Sequence, residues 1–170
     1  MSEAELLSMT SLLFVAGHET TVNLIGNGTH ALLGHPEQLE LVRTDESVDD
    51  TVADELLRYD SPVQTSGRRV MHDVEVADQI IPSGEMVLTA LGSANRDPGF
   101  WGSTADELDV TRGDANRHVS FGSGVHHCLG AALARMEGEI AITHLLRRFP
   151  DLALADEPTF NARIILRGRE

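Results

Sequence analysis

The 170-residue chain is 41% hydrophobic and 24% charged, the balance of a globular protein with enough length for one domain and its core. A net charge of −14 speaks against non-specific attraction to nucleic acid or an anionic membrane, and no apolar run reaches the roughly 20 residues of a membrane span. The start, MSEAELLSMT, has no basic leader region, and one cysteine cannot close an internal disulfide, which fits a reducing cytoplasm.

Ser2-Glu3-Ala4-Glu5 reads as a capping box that opens a helix. Apolar residues then run from Leu6 to Leu33, where Gly34 and Pro36 end the pattern. Such a helix is roughly 45 Å long at 1.5 Å per residue, and its nearly uncharged centre predicts burial on most sides. Shorter helices are expected at Pro36–Arg43 and Val48–Tyr59, the second stopped by Ser61-Pro62. Residues 68–92 change period: β-rich runs around Pro82-Ser83-Gly84 predict short strands and a hairpin. From Asn95 to Val119, Gly, Pro, Asp and Asn recur without periodicity, which predicts a long functional loop. Leu129–Phe149 has the pattern of an amphipathic helix, and DLALA and ARIIL predict two last strands. The fold class is therefore mainly α (α+β), without repeats or linkers.

Charge is distributed unevenly. Residues 1–111 hold 5 Arg against 20 acids, whereas residues 112–148 hold 5 Arg against 3 acids, with four histidines. There is no lysine. The basic segment surrounds FGSGVHHCLGAALARME, Phe121–Glu137, which contains the one cysteine, Cys128. That thiol directly precedes a predicted helix, whose free N–H groups and positive dipole end favour a thiolate. Three chemistries compete with a buried inert thiol. A zinc site wants four ligands at spacings such as C-x2-C, which consecutive His126, His127 and Cys128 do not supply. A cysteine nucleophile paired with His127 is chemically allowed but leaves the glycines unexplained. An axial thiolate to haem iron explains them, since a flat macrocycle against the backbone needs small residues such as Gly122, Gly124 and Gly130.

Phe121-Gly122-x-Gly124-x-His126-x-Cys128-Leu129-Gly130 resembles the haem-binding loop of the cytochrome P-450 family, the haem-thiolate monooxygenases. The resemblance implies that Cys128 ligates the iron of haem b, that Phe121 shields the sulfur and that His126 lies by a haem propionate. AGHETT, Ala16–Thr21, in the middle of the long helix, resembles the family's oxygen-activating helix. Ala16 and Gly17 would there make room for dioxygen, and Glu19-Thr20 match the acid–alcohol pair that orders water and supplies protons for O–O cleavage. HExxH zinc chemistry is excluded because Val22 stands where the second His belongs, and Gly26-x-Gly28-x-x-Ala31 lies inside a helix rather than after a strand.

ELLR, Glu55–Arg58, would by itself be a common i,i+3 surface pair. Between the other two motifs it resembles the family's Glu-x-x-Arg pair, with Arg112 as third member of a buried network. Arg68, five residues before Asp73, matches the propionate-binding arginine, with Arg69 as its adjacent alternative. The resemblance covers nearly the whole chain but only the C-terminal part of the family's usual length. It thus implies a C-terminal fragment of a single P-450 domain over residues 1–170. Its expected partners are a small organic substrate, O2 and a ferredoxin with its reductase, with no nucleic acid or membrane. A non-catalytic haem-binding or haem-sensing module and a cysteine-dependent hydrolase are the alternative functions.

Overall fold

The computed structural model describes residues 1–156, 158–161 and 163–169. The first helix, α1 (Glu3–Leu33), begins at the reciprocal cap: Glu5 N–H donates to Ser2 Oγ at 3.3 Å and Ser2 N–H to Glu5 Oε2 at 2.7 Å. Its burial departs from the expectation. Residues 3–18 are all exposed, Leu12 and Phe14 by 67% and 73%, and only the C-terminal part turns Leu24, Asn27, Gly28, Ala31 and Leu32 inward. The apolar sequence demands cover that none of the described elements gives to its first half.

Two further helices follow, α2 (Pro36–Thr44) and α3 (Asp49–Tyr59), the latter entered through a 3-10 turn at Glu46–Val48. They pack with the end of α1 and with α6 (Ala131–Arg148) around Leu24, Leu32, Val42, Val52, Leu56, Ile142 and Leu146. Gly28 marks a close crossing, because a Cβ there would lie 2.9 Å from Leu56 Cδ1 and 3.0 Å from Ile142 Cδ1, and Gly138 marks another, with a Cβ 2.8 Å from Leu24 Cδ2. The glycine in the false dinucleotide pattern is therefore a helix-packing residue. The inward face of α6 is Ala131, Gly138, Ile142, Thr143 and Leu146, while Leu133, Met136 and Ile140 remain about half exposed on the other side.

Two small antiparallel sheets project from this helical layer. In one, β1 (Thr65–Arg69) pairs with β4 (Met86–Ala90), Thr65 opposite Ala90; in the other, β2 (Val74–Val76) pairs with β3 (Gln79–Ile81). The hairpin turn is not Pro82-Ser83-Gly84 but Ala77-Asp78, both at positive φ (48° and 63°), the backbone of a two-residue type I′ turn. Pro82-Ser83-Gly84 instead joins the two sheets, with Gly84 N–H donating to Val70 O at 2.7 Å.

Residues 91–119 hold two one-turn helices, α4 (Leu91–Ala94) and α5 (Pro98–Trp101), with 3-10 turns at Gly102–Thr104 and Ala115–Arg117, and are otherwise irregular. DLALA forms no strand. Of ARIIL, Ala162 lies outside the described residues and Leu166 makes only an isolated bridge to Val63. Arg167 N–H donates to Pro62 O, but Pro62 has no N–H to return, so the ladder cannot extend there.

Candidate functional site

Glu55 and Arg58 lie one turn apart on α3, and both side chains are fully buried. Arg58 Nε and Nη2 donate to the two Glu55 carboxylate oxygens at 2.7 and 2.8 Å. The rest of the guanidinium donates to the carbonyls of Asn95 (2.9 Å), Ala105 (2.7 Å) and Glu107 (2.7 Å). Five N–H groups thus meet five bonds, and each carbonyl belongs to the irregular 95–112 segment. Glu55 Oε1 also accepts from Asp109 N–H at 2.8 Å. Arg112 brings Nε to 3.2 Å from Glu55 Oε2, an ion-pair distance without an aligned hydrogen bond, and donates through Nη2 to Thr104 O at 3.0 Å. The three residues picked from sequence therefore meet at one carboxylate. Around it the long loop receives the backbone partners that a sheet would otherwise supply.

That loop leads into the cysteine segment. Gly122 and Gly124 both adopt φ +69°, a left-handed backbone that glycine takes at little cost. Gly122 N–H donates to Val119 O, His127 N–H to Gly124 O and Cys128 N–H to Phe121 O, at 2.8, 3.0 and 2.9 Å. The bonds fold the segment into a short knot that presents Cys128 as an exposed free thiol. The helix starts slightly later than its pattern predicts. Gly130 caps α6, so the thiol precedes the first helical residue by three positions. Val125 and Leu129 flank it at 98% and 91% exposure, and His126 is exposed beside them. His127 Nδ1 lies 3.3 Å from Gly122 O.

The remaining sequence candidates stand apart. On α1, Thr20 Oγ1 donates to Ala16 O at 2.6 Å and Glu19 pairs with Arg163, so both polar groups have partners. Gly17 lines a groove of about 500 Å3 with Thr21, Met136 and Ile140, between α1 and α6. Arg68 is exposed on β1, and its Nη1 donates back to Gly67 O at 2.8 Å. None of the hydrogen bonds or ion pairs among the described residues joins these groups to the cysteine loop.

A second buried carboxylate escaped the sequence reading. Asp54, next to Glu55, accepts from Arg135 Nε on α6 at 2.6 Å, and the same Oδ1 lies 3.0 Å from Nε2 of buried His118. Burial pushes this carboxyl up, but the hydrogen bonds from His118 and Arg135, with the Arg135 charge, more than offset it and hold it below the usual range. Asn95 completes the buried set, with Nδ2 donating to Ser120 Oγ at 2.7 Å and Oδ1 accepting from Val119 N–H at 2.8 Å. The one signal available in the sequence was a pair of adjacent acids, Asp54-Glu55, between the apolar pairs Val52-Ala53 and Leu56-Leu57.

The residues of the loop fit a flat, soft-ligand cofactor. A sulfur stands in the open, two left-handed glycines lie within six residues before it, and apolar Val125 and Leu129 await cover. Among the described residues no three His, Cys, Asp or Glu side chains group to hold a bare metal ion.

The comparisons with known proteins agree with this class. The pattern of the Cytochrome P-450 family matches residues 47–161. The chain is 48% identical over 174 residues to Cytochrome P-450 107B1 of Saccharopolyspora erythraea, covering 100% of this chain and 42% of that protein. It is 49% identical over 172 residues to a vitamin D(3) 25-hydroxylase of Pseudonocardia autotrophica, covering 99% of this chain and 42% of that one. Among solved structures, the cytochrome P-450 PksS of the Bacillus subtilis 168 bacillaene polyketide synthase superposes with a TM-score of 0.94 at 46% identity, covering 100% of this chain and 44% of that one. The chain belongs to the cytochrome P-450 family, whose members bind haem b, and its mainly helical fold with small antiparallel sheets is part of that family's fold. It spans about two-fifths of the length of the curated relatives it matches.

Proposed function

We propose that residues 1–170 are the C-terminal, cysteine-ligand portion of a single P-450 domain, and that the protein they serve is a haem-thiolate monooxygenase. The observation that carries this reading is the loop itself: an exposed thiol held by the Cys128 N–H to Phe121 O bond and flanked by Gly122 and Gly124 at φ +69°. Cys128 would hold the iron of haem b through its sulfur, with Phe121 beside the sulfur. Gly122, Gly124 and Gly130 would leave room for the macrocycle, and His126 and Arg68 would bind its propionates. Bound haem supplies the redox chemistry by which one atom of O2 enters an organic substrate.

The other roles belong to this chain's own side chains. Ala16 and Gly17 would leave space on α1. The Glu19 carboxylate and the Thr20 hydroxyl would hold water and pass protons, once Glu19 leaves Arg163 and Thr20 leaves the Ala16 carbonyl. Glu55, Arg58 and Arg112 shape the loop and take no part in the chemistry. The basic 112–148 segment suits an acidic electron donor, a ferredoxin served by its reductase. Among the described residues no helix is long and apolar enough to cross a membrane, in keeping with a cytoplasmic enzyme acting on a small organic substrate.

A second reading is a haem-binding or haem-sensing module without turnover. It is favoured by the engaged state of Glu19 and Thr20 and by the uncovered first half of α1. Supplying haem, ferredoxin, ferredoxin reductase and NADPH separates the two. Reductant consumed in step with an added substrate is the expected result for the monooxygenase, and haem binding with no such consumption would overturn it.

A further inference from the structure

The cysteine loop is tied at both ends to one atom. His118 lies three residues before Phe121 and Arg135 seven residues after Cys128, and both meet Asp54 Oδ1, at 3.0 and 2.6 Å. Ser120 N–H donates to His118 Nδ1 at 3.1 Å, so that nitrogen is the acceptor and the ring proton sits on Nε2, facing Asp54. Arg135 does a second thing. Its guanidinium carbon lies 4.8 Å from the centroid of the Phe121 ring, which also has His118 at 5.4 Å and His127 at 6.3 Å. A cation over a ring face attracts it, and the ion pair with Asp54 fixes where that cation can stand.

We propose that Arg135 is a positioning residue for the thiolate loop: anchored by Asp54 on α3, it holds the Phe121 ring, and through the Phe121 carbonyl the backbone of Cys128. The chain of contacts is continuous. Asp54 bonds Arg135, the Arg135 guanidinium lies over the Phe121 ring, and Phe121 O accepts from Cys128 N–H at 2.9 Å. Asp54 and Glu55 are adjacent on α3 and so point to different sides of the helix. Glu55 secures the 95–112 segment and Asp54 secures the loop that follows. Lysine could keep the ion pair but has no flat group to lie on the ring, so arginine is the residue this geometry uses.

The proposal rests on the haem-thiolate reading only for the purpose of the sulfur, and its test needs no haem. Hydrogen–deuterium exchange of the 170-residue chain is followed in the peptide spanning residues 121–130 and in one from the second half of α6. Arg135→Gln is expected to speed exchange in the loop about two- to fivefold, the range that losing one cation–ring contact supports, while α6 changes little. Arg135→Lys should fall between the two. In a Phe121→Leu background Arg135→Gln should add nothing, because the ring through which it acts is gone. Equal acceleration in both backgrounds, equal acceleration in α6, or no change in the loop would overturn the proposal. If Arg135→Gln does not fold, Arg135→Lys with and without Phe121→Leu decides by the same comparison. Failure of the haem reading would show in the haem spectrum and leave this result untouched.

Discussion

Removing the Arg58 guanidinium should cost this chain most of its stability. Arg58→Ala leaves the buried Glu55 carboxylate without its bidentate partner, orphans the carbonyls of Asn95 and Ala105, and leaves the Glu107 carbonyl with only a long 3.4 Å bond from Arg112 Nη2. Breaking a buried ion pair by deleting one member costs about 3–5 kcal/mol, and each unsatisfied buried acceptor about 1–3 kcal/mol more. Some relief comes from Asp109 N–H and Arg112, which still face Glu55. The total of about 5 kcal/mol or more stands against a whole-domain stability of roughly 5–15 kcal/mol. Arg58→Lys is the graded control: three donors replace five, so at least two of the five bonds are lost, at about 2–3 kcal/mol. Urea unfolding followed by far-ultraviolet circular dichroism, at several protein concentrations, measures both. The expected order is wild type, then Arg58→Lys, with Arg58→Ala largely unfolded in water. An Arg58→Ala protein within about 1 kcal/mol of wild type would refute the argument that this pair organises the 95–112 segment.

Asp54 makes stability depend on acid: because its folded-state pKa is lowered, its contribution is complete above the ordinary carboxylate range and disappears as pH falls through the folded value. Asp60, raised mainly by burial against the pull of Arg167, Arg169 and Arg96, has the opposite sign, so the comparison of Asp54→Asn with wild type between pH 7 and 3 isolates Asp54; the two stability curves should converge in acid. The exposed apolar half of α1 should drive self-association, since covering even 400 Å2 is worth about 10 kcal/mol at 25 cal/mol per Å2. Leu12→Glu with Phe14→Lys should lower the sedimentation-derived mass toward a monomer, and a wild-type chain that already sediments as a monomer would contradict this. Placed in a full-length homologous P-450, Thr20→Ala should keep haem and raise the reductant used per product formed; unchanged coupling would remove Thr20 from the proton path.

What could be read from sequence follows the range of the interactions. The α1 cap, the stops at Gly34 and Ser61-Pro62 and the cysteine loop are written in neighbouring residues, so they were legible. Ala77-Asp78 was missed because nothing local marks an alanine for positive φ, whereas Pro-Ser-Gly advertises a turn wherever it falls. The last strands failed because pairing with residues 62–64 is decided across about a hundred residues and is cut short at Pro62. Distance in sequence hid the second buried carboxylate as well. Asp54 meets His118 and Arg135 at separations of 64 and 81 residues, and each residue type alone is ordinary on a helix or loop. Glu55 and Arg58 are three residues apart and were seen, but their full burial and the three carbonyls bound by Arg58 exist only in the fold.

The central claim is that Cys128 is the iron ligand, and the spectrum of the haem-loaded, reduced chain under carbon monoxide tests it most directly. The wild-type chain is expected to give the strongly red-shifted Soret band of thiolate ligation, and Cys128→Ser to bind haem, if at all, without that band. A red-shifted band that survives in Cys128→Ser, or a wild-type spectrum of nitrogen-ligated haem, would contradict the account.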